Sequence, residues 1–257
     1  MQTPKLFTLL PEAYVSTPDG MEIDKNGDMI LSCPNFADMS MPSCICRIDK
    51  EGHVTKWFDV PLNEETGEAR SMGIAFGPDG DLYIVDNQGW TGRPELIRQG
   101  RILKVHFENG SVSKVTVVAK HMEHPNGIRI KGEYMYVTQS TMEKVKTKSG
   151  NALSCVYRFH LDDKDIDVTN TLEDPNIFLT YETYNPQDQY GLDGIVFDHQ
   201  GNLYVGNFGD GEVFRITFHE DGSVKENRSF AKDPDNLRST DGMTIDQYGN
   251  IYVADFV

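Results

Sequence analysis

Short runs of alternating apolar and polar residues, split by turns centred on Gly, Asn or Asp, recur along the whole chain, and five of them share one phrase. It reads DGMEIDKNGDMILS from Asp19, MGIAFGPDGDLYIVD from Met72, NGIRIKGEYMYVTQ from Asn126, DGIVFDHQGNLYVGN from Asp193 and DGMTIDQYGNIYVAD from Asp241. Alternation sends successive side chains to opposite faces, so each phrase predicts a strand, a tight NG-, DG- or QG-type turn and a second strand, together a β-hairpin. Two further strand-like segments follow four of the hairpins: CICRIDKEGHVTKWF, GRILKVHFENGSVSKVTVV, SCVYRFHLDDKDIDVTN and GEVFRITFHEDGSVKENRSF.

Four strands per repeat without an amphipathic helix predict an all-β chain folded as a β-propeller. The first glycines, Gly20, Gly73, Gly127, Gly194 and Gly242, are spaced by 53, 54, 67 and 48 residues. A stacked solenoid would show shorter repeats of roughly 20 to 45 residues. Connections between strands one and two are tight, whereas those between strands two and three run long, at 34–43, 87–100 and 140–153, as does the approach at 180–192. In an up-and-down blade the two classes fall on opposite faces, so one face carries the loops that build a site. The fifth repeat stops after its second strand, and residues 5–10 have the pattern of an orphan strand that would close the ring. The expectation is a single domain over 1–257, truncated at its C-terminus, whose open blade edges favour self-association.

Composition narrows the function. A formal charge of −16 excludes nucleic acid as a partner and suits metal cations or neutral small molecules. No run of about 18 apolar residues occurs, and MQTPKLFTLLPEAY lacks the parts of a secretory signal, which points to the cytoplasm and away from a membrane. Cys33, Cys44, Cys46 and Cys155 form no CxxC pair, so they predict neither a zinc finger nor a thioredoxin motif. Cys44 and Cys46 have same-face strand spacing; all four read as small packing residues, with a disulfide to Cys33 as the alternative.

The residue before each first glycine starts the innermost strand on the loop-rich face, and in order these are Asp19, Met72, Asn126, Asp193 and Asp241. Three carboxylates and an amide oxygen would converge on one axis, a set of hard oxygen donors suited to Ca²⁺. The bland alternative is that Asp-Gly is a turn pair, as it is in the DKNGD and GPDGD turns. Neither turn is followed by the closing Glu of an EF-hand loop. His121 and His124 stand at HxxH spacing without a helix to align them and read as loop histidines. Trp90, Tyr181, Tyr184 and Tyr190 lie on long connections and either wall a substrate pocket or pack the loops. No GxSxG elbow is present.

HPNGIRI around Asn126 and GLDGIVFDHQGNLYVGN around Asp193 resemble the senescence-marker (regucalcin), gluconolactonase and drug-responsive lactonase family, with the squid-type diisopropylfluorophosphatase more distant. The resemblance implies a six-bladed propeller, of which this chain would cover about four and a half blades. It also implies a catalytic divalent metal held by a first-blade Glu, the Asn of the PNG phrase and an Asp of the following blade. Those positions here are Asp19, Asn126 and Asp193; Asp19 replaces the family's Glu and is shorter by a methylene, and Met72 stands where some members have another Asn. The activity implied is Ca²⁺-dependent hydrolysis of a lactone or related cyclic ester, with Zn²⁺, Mg²⁺ or Mn²⁺ as other ions. Asp193 would serve as general base or nucleophile, and Asp241 as a further channel residue. A non-catalytic NHL-like binding propeller, a phosphotriesterase and a sugar-acid lyase or isomerase are the alternatives.

Overall fold

The computed structural model describes residues 5–256 and turns the repeated phrases into sheets. The first sheet is an antiparallel meander of β1 (Met21–Ile23), β2 (Met29–Cys33), β3 (Cys44–Ile48) and β4 (Val54–Asp59). The second contains β5 (Ser71–Phe76), β6 (Leu82–Asp86), β7 (Gly100–Glu108) and β8 (Ser111–Met122). In the third, β9 (Pro125–Lys131), β10 (Tyr134–Gln139) and β11 (Leu153–His160) come first. The chain then makes β12 (Ile166–Asp167) and returns as β13 (Ile177–Glu182). The fourth sheet has β14 (Leu192–Phe197), β15 (Leu203–Asn207), β16 (Glu212–Phe218) and β17 (Val224–Lys232), and a hairpin of β18 (Met243–Ile245) and β19 (Ile251–Val253) follows. Helix among the described residues is limited to two 3₁₀ turns, Gln88–Thr91 and Pro94–Leu96. No helix there is long and apolar enough to cross a membrane.

The DIDVTN segment was expected as the fourth strand of the third sheet, but β12 instead pairs in parallel with β8, Ile166 opposite Ala119, and β13 takes that place. Val168, buried between the second and third sheets, draws the segment there; alternation alone does not say which edge a short strand joins. Residues 5–10 form no closing strand. Thr8 Oγ1 donates to the Gly52 carbonyl at 2.7 Å, and Leu10 packs on the outer face of the first sheet.

The sheets stack face to face because their central strands are apolar on both sides. On β6, Leu82 and Ile84 pack against Ile30 and Ile45 of the first sheet, while Tyr83 and Val85 pack against Ile128, Met135 and Val137 of the third. Strand β10 repeats the device, with Met135 and Val137 facing the second sheet and Tyr136 facing Leu192, Ile195 and Val205 of the fourth. Each interface is therefore a propeller seam, and burial of these side chains is the main stabilising term.

The innermost strands touch in the order β1, β5, β9, β14, β18. Glycine makes that approach possible. A methyl group at Gly73 would lie 2.5 Å from the Asn126 carbonyl oxygen and 3.0 Å from Gly127 Cα; at Gly127 it would lie 2.7 Å from the Asp193 carbonyl oxygen. These are backbone atoms that cannot swing aside. Gly73→Ala is accordingly expected to destabilise by about 1–3 kcal/mol, the usual cost of overpacking. Chemical denaturation measures this, and an unchanged midpoint would refute the close approach.

Candidate functional site

Bulges place the site residues. Ser71 opposes Asp86 and Ile74 opposes Ile84, so Met72 and Gly73 share the single partner Val85. In the same way Asn126 and Gly127 share Thr138, and Asp193 and Gly194 share Gly206. An extra residue in one strand bends it and re-aims a side chain. The sequence reading put these pairs at the start of strand one; in three sheets they lie inside it. Hydroxyl groups lock the bulges: Thr138 Oγ1 accepts the Gly127 N–H at 2.8 Å and donates to the Asp193 carbonyl at 2.6 Å. Ser140 Oγ donates to the Leu192 carbonyl at 2.8 Å. Held this way, Asn126 Nδ2 donates to Asp193 Oδ2 at 2.6 Å. Asp19 and Asp241 precede β1 and β18, pinned by N–H bonds to the carbonyls of Ser32 and Ala254.

The carboxylates act on one another. Burial, then Asp241 and Asp19, push the Asp193 carboxyl well above the ordinary range. Asp19 is pushed up to about 7 by burial and by Asp241, against a lowering hydrogen bond from the Gly20 N–H. Its side chain still meets channel solvent, which softens that shift without reversing it, since protein crowds its other sides. Asp241 is raised by burial, offset by its bond from the Gly242 N–H at 2.7 Å. Among the described residues no ion pair reaches any of the three, so a cation would relieve them. Their chemistry fits an oxygen-loving divalent ion. The spacing fits less fully: Asn126 and Asp193 are in contact, but the three carboxylates do not close to within 4.8 Å of one another.

Two channel residues escaped the sequence reading. Alternation resumes out of phase after a bulge, so the residue three beyond the site position returns to the channel. Arg129 is such a residue. Its guanidinium donates to the carbonyls of Ile128, at 2.8 Å, and Met243, at 3.1 Å, tying the third inner strand to the fifth. Burial lowers its pKa, and Glu22, three residues after Asp19, opposes that.

On the loop face, Trp90 and Tyr190 meet edge to face at 4.8 Å, with the His124 ring 6.4 Å and 5.9 Å from them. Asn87 caps the turn that carries Trp90, accepting its N–H at 3.2 Å. His124 is buried with Nδ1 unpartnered, and burial lowers its pKa. His121 pairs instead with Asp167 at 2.7 Å, so the HxxH residues share no site. Tyr181 is a core residue, its ring tilted against Phe214 with centroids 4.5 Å apart and its hydroxyl donating to Asn227, and Tyr184 is exposed beside Asp210. A surface concavity of about 430 Å³ lined by Arg98, His121 and Lys144 contains none of the channel carboxylates.

No protein-family model matches the sequence, and no curated protein matches it. Solved structures do. A candidate gluconolactonase aligns over 94% of this chain and 72% of its own at 15% identity and a TM-score of 0.57. A luciferin-regenerating enzyme aligns over 95% and 70% at 13% identity, TM-score 0.56. A catalytically inactive histidine-to-alanine variant of virginiamycin B lyase from Staphylococcus aureus, with quinupristin, aligns over 96% and 80% at 15% identity, TM-score 0.51. The chain has the fold of these propeller proteins. At such identities the likeness carries architecture only, and chemistry has to be argued from the channel residues.

Proposed function

We propose that the chain is a divalent-cation-dependent hydrolase of a lactone or related cyclic ester, built on a six-bladed propeller of which it supplies about four and a half blades. The observation that supports this most is the 2.6 Å bond between Asn126 and Asp193, bulged residues of neighbouring blades flanked by Asp19 and Asp241. Ca²⁺ is the favoured ion, because the donors are all oxygens on an irregular frame; Zn²⁺ prefers nitrogen and sulfur, and Mg²⁺ demands a regular octahedron. Asp19, Asn126 and Asp193 would hold it, and when bound it would polarise the ester carbonyl. Asp193 takes a proton from water at Oδ1 and passes it to the ring oxygen as the acyl C–O bond breaks, or attacks the carbonyl itself to form an anhydride. In the second case the ring oxygen leaves with a proton from solvent and water then opens the anhydride; in both, Asn126 orients Asp193 through Oδ2. Trp90 and Tyr190 wall the approach and bind the apolar part of the substrate.

One observation favours a second reading, a binding propeller: the carboxylates stand apart. A lactone and organophosphate panel with and without Ca²⁺ separates the readings, and hydrolysis of neither, or hydrolysis unaffected by chelation, would count against the hydrolase. Stability supplies another test. Asp19, Asp193 and Asp241 all have folded pKa values raised from 3.8, so in cation-free protein their contribution is fully present below that value and is lost as pH climbs through the folded values, about 7 for Asp19. A bound cation replaces the protons. The rise in thermal midpoint produced by Ca²⁺ is therefore expected to be small near pH 4 and to grow toward about pH 7; a pH-independent increment would contradict the assignment.

A further inference from the structure

The first sheet carries a second constellation that takes no part in the channel. Cys33 on β2 is the cross-strand partner of Cys44 on β3, and Cys46 lies two residues on, so all three thiols share one face. The Sγ of Cys46 stands 3.8 Å from that of Cys33 and 3.9 Å from that of Cys44, and the three sulfurs lie within 4.8 Å of one another. All are free and fully buried under Leu10, Tyr14 and Val15. The Tyr14 carbonyl oxygen sits 3.5 Å from Cys44 Sγ. Sequence spacing argued against a metal here, since no CxxC pair exists; strand pairing assembles what the spacing does not.

Three thiols in contact would also fill a core as small apolar groups. Their separation is nevertheless that of ligands. Two sulfurs bound to one ion at about 2.3 Å stand roughly 3.8 Å apart at a tetrahedral angle and roughly 4.0 Å apart in a trigonal plane. Soft thiolates select d¹⁰ ions over Ca²⁺ or Mg²⁺. We propose that Cys33, Cys44 and Cys46 bind one thiophilic d¹⁰ cation, Zn²⁺ or Cu⁺, with the Tyr14 carbonyl beside the fourth position. Each ligating thiol gives its proton to solvent on binding. The ion cross-links β2 to β3 beneath the segment that covers them, a structural role independent of the channel.

The test uses reduced, metal-stripped protein in excess Ca²⁺, so that any oxygen site is filled, titrated with Cd²⁺ as probe. A sulfur-to-metal charge-transfer band should saturate at one ion per chain. Whichever of Zn²⁺ and Cu⁺ removes the band at the lower free concentration is the site's preferred ion. At a hundredfold excess over Kd it should raise the thermal midpoint by about 5–10 °C. Cys46→Ala should abolish the band, and Cys155→Ala should keep it; Cys33→Ser serves if the first variant does not fold. The proposal is overturned if the reduced native protein gives no band, or if the band survives loss of Cys46. Finding two thiols in place of four in unreduced, denatured protein would also overturn it, by showing a disulfide.

Discussion

Asp193→Asn is expected to keep the fold and lower turnover by about 10² to 10⁴-fold, the range for removing a positioned acid or base. The amide still offers an oxygen to a cation and to Asn126 Nδ2, but no longer a basic or nucleophilic one. Because burial beside Asp241 and Asp19 disfavours the charge at 193, the cation-free variant should be no less stable than the parent. That separates a chemical loss from a folding loss. Asp241→Asn is the comparison: it shares the Asp-Gly context, but its carboxylate is engaged by its own neighbour's N–H, and its activity should fall much less. Lactone hydrolysis at the parental rate by Asp193→Asn, or a larger loss in Asp241→Asn, would move the chemistry elsewhere.

The largest stability effect is expected at Arg101. Its Nε donates to Asp86 Oδ2 at 2.7 Å, and its other nitrogens reach the carbonyls of Pro61 and Leu62. Asp86 is fully buried and also accepts the Arg70 N–H at 2.6 Å and Gln88 Nε2 at 3.0 Å. Arg101→Met leaves that carboxylate buried without its counter-charge, which costs about 3–5 kcal/mol when one partner of a buried pair is removed. Adding Asp86→Asn should recover part of the loss, as coupled neighbours do. A single-variant cost below about 1 kcal/mol would show that the pair is dispensable.

The propeller architecture was legible because a two-residue period and a turn at fixed offset leave a signature that no packing detail can mask; the first glycine of each of the first four phrases marked where the inner strands crowd together. What alternation could not show was the bulge. It breaks the period at the positions that matter and hides Arg129 as an ordinary strand residue. A second device was equally invisible as a motif, although it repeats. A polar residue at or just past the end of strand two bonds the backbone leading into the inner strand in three cases, Asp86 at Arg70, Gln139 at Glu123 and Asp255 at Ser239, while Asn207 donates to the carbonyl of Glu182 at the end of β13. In the first sheet Asn35 does this for Ser16. It is the last letter of four of the five hairpin phrases, but nothing in the letter itself says which backbone group it bonds. Tyr181 stayed ambiguous because a tyrosine near a long loop looks the same in sequence whether its ring faces a pocket or, as here, Phe214.

Calorimetric titration of Ca²⁺ into the cation-stripped protein tests the central claim most directly, that the oxygens of neighbouring blades hold a divalent ion. One saturable ion per chain is predicted, lost in Asp193→Ala and weakened at least tenfold in Asn126→Leu. Absence of saturable binding, or binding unchanged in both variants, would contradict the account.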